Sequence, residues 1–271
     1  MPTARTTPLI NVMTAAAQKA GRRMVRDFGE VEHLQVSKKG PADFVSNADL
    51  KAEKILFEEL QKARPKFGFL MEERGEVAGA DISNTWIVDP LDGTTNFLHG
   101  IPHFAVSIGL MRDNDLFAGV VYNPITDEMY WAEKGQGAFL NGRRLRVSAR
   151  TKMEEGLFAT GIPYMEAEGR DHGLFLKQLP AIMASSAGVR RFGAAALDFA
   201  YVAAGRYDGF WEQGLNPWDM AAGIVLVREA GGYVTDFAGK DDIIGSETVI
   251  AANDGLHRPL LKALKTAAAE G

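Results

Sequence analysis

Two carboxylates, Asp89 and Asp92, flank the dipeptide Pro90-Leu91 in the stretch WIVDPLDGTTNF, residues 86–97. Pro90 fixes its own φ and so holds the two acids in a set relative geometry. A plain Asp-Gly turn needs one aspartate, and two this close repel unless a cation neutralises them. The hard cation Mg2+ takes carboxylate, carbonyl and water oxygens. The chain has no cysteine, and its five histidines (His33, His99, His103, His172, His257) show no ligand-like spacing. An oxygen-only magnesium site is therefore the natural inference. Gly93 lets the backbone approach a ligand, and Thr94-Thr95-Asn96 reads as the start of a short helix whose free amides suit phosphate. A metal-binding aspartate pair leading into a phosphate cradle implies phosphoryl chemistry. It is not a P-loop, because no Gly-Lys-Ser/Thr follows the glycine.

Other acids also stand at the ends of elements. Glu72 and Glu73 follow an apolar run, Asp49 lies near one helix start and Asp219 at another. Asp49 and Asp219 have a plain alternative as caps that complement a helix dipole, and Glu73 has one as a solvated surface charge. Arg190 and Arg191 stay open between a substrate contact, an interface pair and a solvated strand end. Trp86, Phe97, Phe104 and Trp218 beside the motifs read as core packing, and His99 and His103 as structural or as supports behind the site's ligands rather than catalytic.

These residues need elements to hold them. Leu9, Val12, Met13, Ala16 and Ala20 recur at helical spacing and predict an amphipathic first helix. A short extended piece around Leu34–Val36 precedes the polar loop SKKGPADFVSNAD, where Ser46 and Asp49 form a capping box opening a helix that ends near Pro65. A strand over Phe67–Met71 delivers Glu72 and Glu73, the segment GEVAGADISN reads as a loop, and the strand of the opening motif follows. FAVSIGLMR, LFAGVVYNP and EMYWAEKG predict an antiparallel meander, and Asn-Gly in FLNGRRLRV a hairpin. Beyond residue 150, strands at LFATGI, RRF, DGFWEQG, VTDF and VIAAN alternate with helices around 170–184, over AAALDFAYVAAG, over PWDMAAGIVLVREAGG and at the C-terminus. The expectation is an α+β half over 1–150 carrying Glu72 and the aspartate pair, and an α/β half over 151–271 carrying Asp219.

Hydrophobic residues are 46% of the 271 and charged ones 24%, the balance of a soluble globular protein. Lack of cysteine excludes a disulfide scaffold, a thiolate zinc site and a thiol nucleophile. The N-terminal stretch lacks the unbroken apolar core of a signal peptide and no run is fit to span a bilayer, so a cytoplasmic protein is expected. The net charge of −5 argues against direct nucleic-acid binding, and an anionic substrate then needs bound cations for its attraction.

TWIVDPLDGTTNFLHGIPHFAVSIG and NPWDMAAGIVLVREAGG resemble the two signatures of the inositol monophosphatase superfamily. MEE at 71–73 is similar to its Gly-Glu-Glu, and SKKGPADFVSNAD to its N-terminal lysine and aspartate segment. RRFGAAALDFAYVAAGRYDGFWEQGLNPWD is most similar to the bacterial extragenic-suppressor branch, whose members are known both as inositol phosphatases and as partners of transcription antitermination factors. Met71 departs from the usual glycine, and Ala194 stands where relatives carry Ser or Thr.

The resemblance implies a layered αβαβα sandwich, of mixed α+β and α/β character, and a homodimer. It implies two to three Mg2+ ions. Glu72, Asp89 and the Leu91 carbonyl hold one, Asp89, Asp92 and Asp219 a second, and a third leans on Glu72. Gly93 and Thr94 bind phosphate, while Glu72, Thr94 and Asp49 orient and activate the attacking water. Asp92, Arg190, Gly193, Ala194, Ala195, Glu212 and Asp219 contact the alcohol, with Lys38 on a nearby loop. The implied activity is hydrolysis of a small phosphate monoester, best myo-inositol monophosphate, by direct attack of water and with sensitivity to lithium. Fructose-1,6-bisphosphatase, histidinol-phosphatase and 3′-phosphoadenosine nucleotidase activities compete with it, as does a mainly regulatory role beside transcription or RNA-processing factors.

Overall fold

The computed structural model of the chain describes residues 6–30, 36–40, 43–163, 172–241 and 243–269. It opens with α1 (Pro8–Phe28), capped by the Thr7 hydroxyl, which accepts from the Ile10 amide. The stretch read as a polar loop folds instead as an antiparallel hairpin, β1 (Val36–Gly40) and β2 (Asp43–Ser46). Leu34 and Gln35 of the extended piece before it lie outside the described residues. α2 (Asn47–Ala63) starts at the expected capping box. It stops before Arg64-Pro65, because a proline ring disfavours helical backbone in the residue preceding it.

Next come β3 (Phe67–Met71), β4 (Gly75–Val77), β5 (Asp81–Asp92) and the short helix α3 (Thr94–Leu98). The loop expected between β3 and the opening motif thus supplies β4 and the first part of β5. The meander appears as β6 (Ala105–Arg112), β7 (Asp115–Asn123) and β8 (Glu128–Glu133). Asn141 and Gly142, at φ 47° and 79°, turn β9 (Gly137–Leu140) back into β10 (Arg143–Arg144), as the Asn-Gly pair predicts. The remainder is β11 (Leu157–Thr160), α4 (Gly173–Ser185), β12 (Gly188–Arg190), α5 (Ala195–Ala203), β13 (Gly209–Gln213), α6 (Pro217–Glu229), β14 (Tyr233–Thr235), β15 (Thr248–Ala252) and α7 (Asp254–Ala269). The strand expected at Arg190–Phe192 sits two residues earlier, since the ladder to β11 ends with Arg190 opposite Ala159.

One sheet runs β10-β9-β8-β7-β6-β5-β3-β4 and a second β12-β11-β13-β15-β14. Helices α1 and α2 cover the outer face of the first, where Met13, Met24 and Leu56 bury against Trp86 and Val106. Helices α5 and α6 fill the space between the sheets, and α4 and α7 cover the outer face of the second. Three apolar clusters thus alternate with two sheets, which is a layered αβαβα sandwich.

The Ala-Ala-Gly that follows Trp218-Asp219-Met220 is a packing face. A Cβ on Gly109 would stand 2.7 Å from Ala221 Cβ, and one on Gly223 2.4 Å from Phe199 Cβ. Small residues let α6 lie directly on the first sheet and against α5. The parallel pairs β3/β5 and β11/β13 share strand direction, so in each sheet their carboxyl ends lie at one edge. A crevice outside the carboxyl ends of parallel strands is where open α/β sheets place ligands.

Candidate active site

Between Asp89 and Asp92 the β5–β6 ladder slips. Asp89 lies opposite Ser107 and Asp92 opposite Ala105, three steps against two. Pro90 has no amide to give the ladder, and the extra residue bulges out. Residues three apart on a regular strand face opposite sides, so the bulge brings both carboxylates to one side. Asp89 and Asp92 are buried, at 2% and 8% exposure. The Leu91 amide donates to Asp89 Oδ1 at 2.9 Å.

Thr94 connects this turn to α2. Its Oγ1 lies 3.0 Å from the Leu91 carbonyl and 3.0 Å from Asp49 Oδ1. The other oxygen of the buried Asp49 accepts from the Ser46 amide at 2.9 Å and from the Ser46 hydroxyl. Asp49 is therefore both helix cap and neighbour of the expected phosphate cradle, so the two readings of it are compatible.

Glu72 leaves β3 at the same edge, its amide donating to the Val88 carbonyl at 3.2 Å. Asp219 stands in the first turn of α6, where Oδ2 accepts from the Asn216 amide at 2.7 Å. The Ser107 hydroxyl, opposite Asp89, donates to the Trp218 carbonyl at 3.3 Å and ties that turn to β5. Asp92 has a further task. α5 begins at Ala194, which has no capping side chain, and Asp92 Oδ2 accepts from the Ala196 amide at 2.8 Å. The strand aspartate thus supplies an acceptor at the start of α5 that Ala194 lacks.

The acids are close enough to perturb one another. Burial, then Glu72, Asp92 and Asp219, hold the Asp89 carboxyl well above the usual carboxylate range, with the Leu91 amide opposing. Burial pushes Asp92 up to about 7, partly offset by the Ala196 amide. Burial followed by Asp219 and Asp92 pushes Glu212 up to about 8, with Arg191 opposing. Asp49 is raised by burial, with its bonds to Ser46 and Thr94 opposing. Among the described residues no three His, Asp or Glu side chains already form an ion cage. The donors are carboxylate and carbonyl oxygens; Asp89 and Asp92 are desolvated, Glu72 and Asp219 are half-buried, and their charges repel one another. A hard divalent cation supplies the charge this set lacks, so the residues fit Mg2+.

The other expected residues fall as follows. Gly93, at φ 93°, adopts a conformation that favours glycine, and a Cβ there would come within 3.3 Å of Ala194 Cβ and the Gly193 carbonyl. Segments about a hundred residues apart in the chain touch at this point. Arg190 is exposed at the end of β12 with its guanidinium on the Val189 carbonyl, and the guanidinium that offsets Glu212 and Asp198 is that of Arg191. Lys38 lies on β1, where the backbone alone is described. Trp86, Phe97 and Phe104 are fully buried and Trp218 packs against the central cluster, as expected of core residues. His103 lies against Phe192, ring centroids 5.2 Å apart and tilted by 57°, and burial lowers its pKa.

Three side-chain roles have no counterpart in the expectations from sequence. Asn96 Nδ2 donates to the carbonyls of His103, at 2.8 Å, and Phe192, at 2.7 Å, stapling α3 to the loop before α5. Gly161, just past β11, makes room for Glu212, for a Cβ there would lie 1.7 Å from Glu212 Oε1. Asp198 buries Oδ1 without a hydrogen-bond partner behind the same carboxylate. Only Asn96 carried a local signal, its place directly after Gly-Thr-Thr.

A profile described as the inositol monophosphatase family matches residues 5–269. The chain belongs to that family. It is 60% identical over 258 residues to an inositol-1-monophosphatase of Mesorhizobium japonicum, covering 95% of this chain and 96% of that one. It is 41% identical to the Nus factor SuhB of Escherichia coli, covering 94% of each chain. A crystal structure of the extragenic suppressor protein suhB from Bartonella henselae superposes with a TM-score of 0.92, at 60% identity, over 96% of this chain and 99% of that one. As a member of the inositol monophosphatase family the chain is a phosphatase.

Proposed function

We propose that this phosphatase hydrolyses a small phosphorylated alcohol, best myo-inositol monophosphate, with two to three Mg2+ ions held by Glu72, Asp89, the Leu91 carbonyl, Asp92 and Asp219. The observation that supports the reading is the buried pair Asp89 and Asp92, repelled by the half-buried Glu72 and Asp219, beside Gly93 and Thr94. Bound Mg2+ offsets the phosphate charge, makes water more acidic and stabilises the leaving alkoxide.

The chain's own groups do the rest. Gly93 and Thr94 seat the phosphate. Thr94 donates its hydroxyl hydrogen toward Asp49 Oδ1, which leaves Oγ1 a lone pair to accept from an incoming water. Proton transfer along that bond ends on Asp49, whose proton affinity burial raises. Glu72 orients the same water. Asp92, Arg190, Gly193, Ala194, Ala195, Glu212 and Asp219 face the alcohol, and Lys38 borders the site.

The test is phosphate release from myo-inositol monophosphate, fructose 1,6-bisphosphate, histidinol phosphate and 3′-phosphoadenosine nucleotides, with and without Mg2+ and Li+. Mg2+-dependent, lithium-inhibited release that favours the inositol ester is expected. No turnover of any of them removes the reading. Gly161→Ala adds a finer check. Its methyl displaces the flexible end of Glu212 rather than backbone, so stability should hold while KM for the inositol ester rises about tenfold, the value of one lost hydrogen bond to a charged group. An unchanged KM takes Glu212 out of alcohol recognition.

The family's homodimer is supported here by Leu176 and Met183, 59% and 58% exposed and seven residues apart on α4, with Phe192 exposed nearby in sequence. Light scattering should return twice the monomer mass. The name of the Escherichia coli relative favours a second reading, a binding role beside transcription factors. Crosslinked capture of the native protein that recovers no such factor argues against it.

A further inference from the structure

We propose that Glu53 is a positioning residue for Glu72, acting through the turn that carries it. This rests on the reading of Glu72 as a magnesium carboxylate. β3 and β4 pair Met71 with Gly75, so Glu72, Glu73 and Arg74 form a three-residue hairpin loop closed by a glycine at φ 76°. Such a tip has amides without ladder partners. Glu53, 4% exposed on α2, supplies the acceptor. Its Oε2 receives the Glu73 amide at 2.9 Å and the Arg74 amide at 3.1 Å. Arg74 Nε lies 3.7 Å from Oε1, and its guanidinium lies over the Phe57 ring, 4.2 Å from the centroid.

The backbone of Glu72 is therefore held from both sides. Its own amide is on the Val88 carbonyl, next to Asp89, and the two amides that follow are on Glu53. The direction of the Glu72 side chain depends on this pinned stretch. Glu53 also lies four residues after Asp49, hence on the same side of α2. One helix face thus holds Thr94 through Asp49 and the Glu72 turn through Glu53, and so sets the distance between the proton-accepting and metal-binding ends of the site.

Both amides converge on a single oxygen, which makes the geometry testable apart from the charge. Glu53→Gln keeps an oxygen at full reach, whereas Glu53→Asp keeps the charge and withdraws it by one methylene. Mg2+ affinity is measured by calorimetry on the full chain, alongside exchange protection of the Glu73 and Arg74 amides and the melting temperature in EDTA. Glu53→Asp and Glu53→Ala should weaken Mg2+ binding about tenfold or more, the lower end for residues that orient metal ligands, and expose both amides to exchange. Glu53→Gln should stay within about threefold of the parent, and so should Arg74→Ala, which removes the ion pair and leaves the amide bonds. The reverse order, with Asp behaving as the parent and Gln failing, assigns the effect to charge and overturns the proposal. Unchanged Mg2+ affinity in Glu53→Asp with both amides exposed overturns it too. If the parent chain neither binds Mg2+ nor releases phosphate, the proposed function fails instead, and amide protection still reports whether Glu53 holds the turn.

Discussion

Asp92→Asn is expected to lower kcat for phosphate release by roughly a thousandfold, the scale on which loss of one charge-stabilising group is felt, while the chain stays folded. The separation is possible because Asp92 has two tasks that depend on different properties. Its bond from the Ala196 amide needs only an oxygen, and the asparagine carbonyl supplies one, so α5 keeps its cap. Magnesium binding needs the charge, which is lost. In EDTA the variant should melt no lower than the parent, because a like charge has been removed from beside Asp89 and Glu72. Mg2+ should separate them again. Saturation at roughly a hundred times Kd stabilises the parent by about 2.7 kcal/mol, and Asp92→Asn should lose most of that gain. Asp92→Ala is the contrasting change, since it also uncaps α5 and should cost about 1 kcal/mol more. Phosphate release and melting with and without Mg2+ settle the matter. Turnover within tenfold of the parent, or an undiminished Mg2+ shift, would falsify the placement of Asp92 in the chemistry.

The contrast also marks what could be read along the chain and what could not. Asp89, Asp92 and the Gly93-Thr94 turn stood out as candidates because their chemistry is local, two acids around a proline leading into a glycine turn, whereas the role expected of Glu72 came from the family resemblance. The meander and the Asn141-Gly142 hairpin were equally plain, since alternation and turn chemistry are short-range signals. The cap that Asp92 gives to α5 spans 104 residues, and no spacing rule connects such partners. Glu53 carries no local signal of its role, because the amides it accepts from lie 20 and 21 residues further along, in the β3–β4 turn. β1 and β2 were hidden for a different reason. Serine, lysine and glycine have weak strand preference, and pairing across the hairpin overrode it. The strand at Gly188–Arg190 was displaced by two residues because arginine and phenylalanine carry no signal of where a ladder ends.

Gly119→Ala is expected to cost about 3 kcal/mol, at the upper end for forcing a methyl group into a packed interior, and to lower the melting temperature by about 6–12 °C. Nothing in local propensity suggests this, for alanine suits the middle of β7 as well as glycine does. The cost comes from what lies above the strand. The added Cβ would stand 2.4 Å from the Ala222 carbonyl oxygen and 2.8 Å from Ala222 Cα, both backbone atoms of α6, and no rotamer change can move them aside. The helix must lift. Because α6 is packed between both sheets and carries Asp219 in its first turn, lifting it also shifts that carboxylate relative to Asp89, and turnover should fall with stability. Gly245→Ala is the control: open space surrounds that position, so the same methyl should leave the melting temperature unchanged or raise it slightly by restricting the unfolded chain. If Gly119→Ala melts within about 2 °C of the parent, α6 is not seated as closely on β7 as Ala221, Ala222 and Gly223 imply. The added group is the same in both variants, so the difference between their melting temperatures isolates the contact of α6 with the sheet. A parallel loss of phosphate release in Gly119→Ala alone would tie that contact to the position of Asp219.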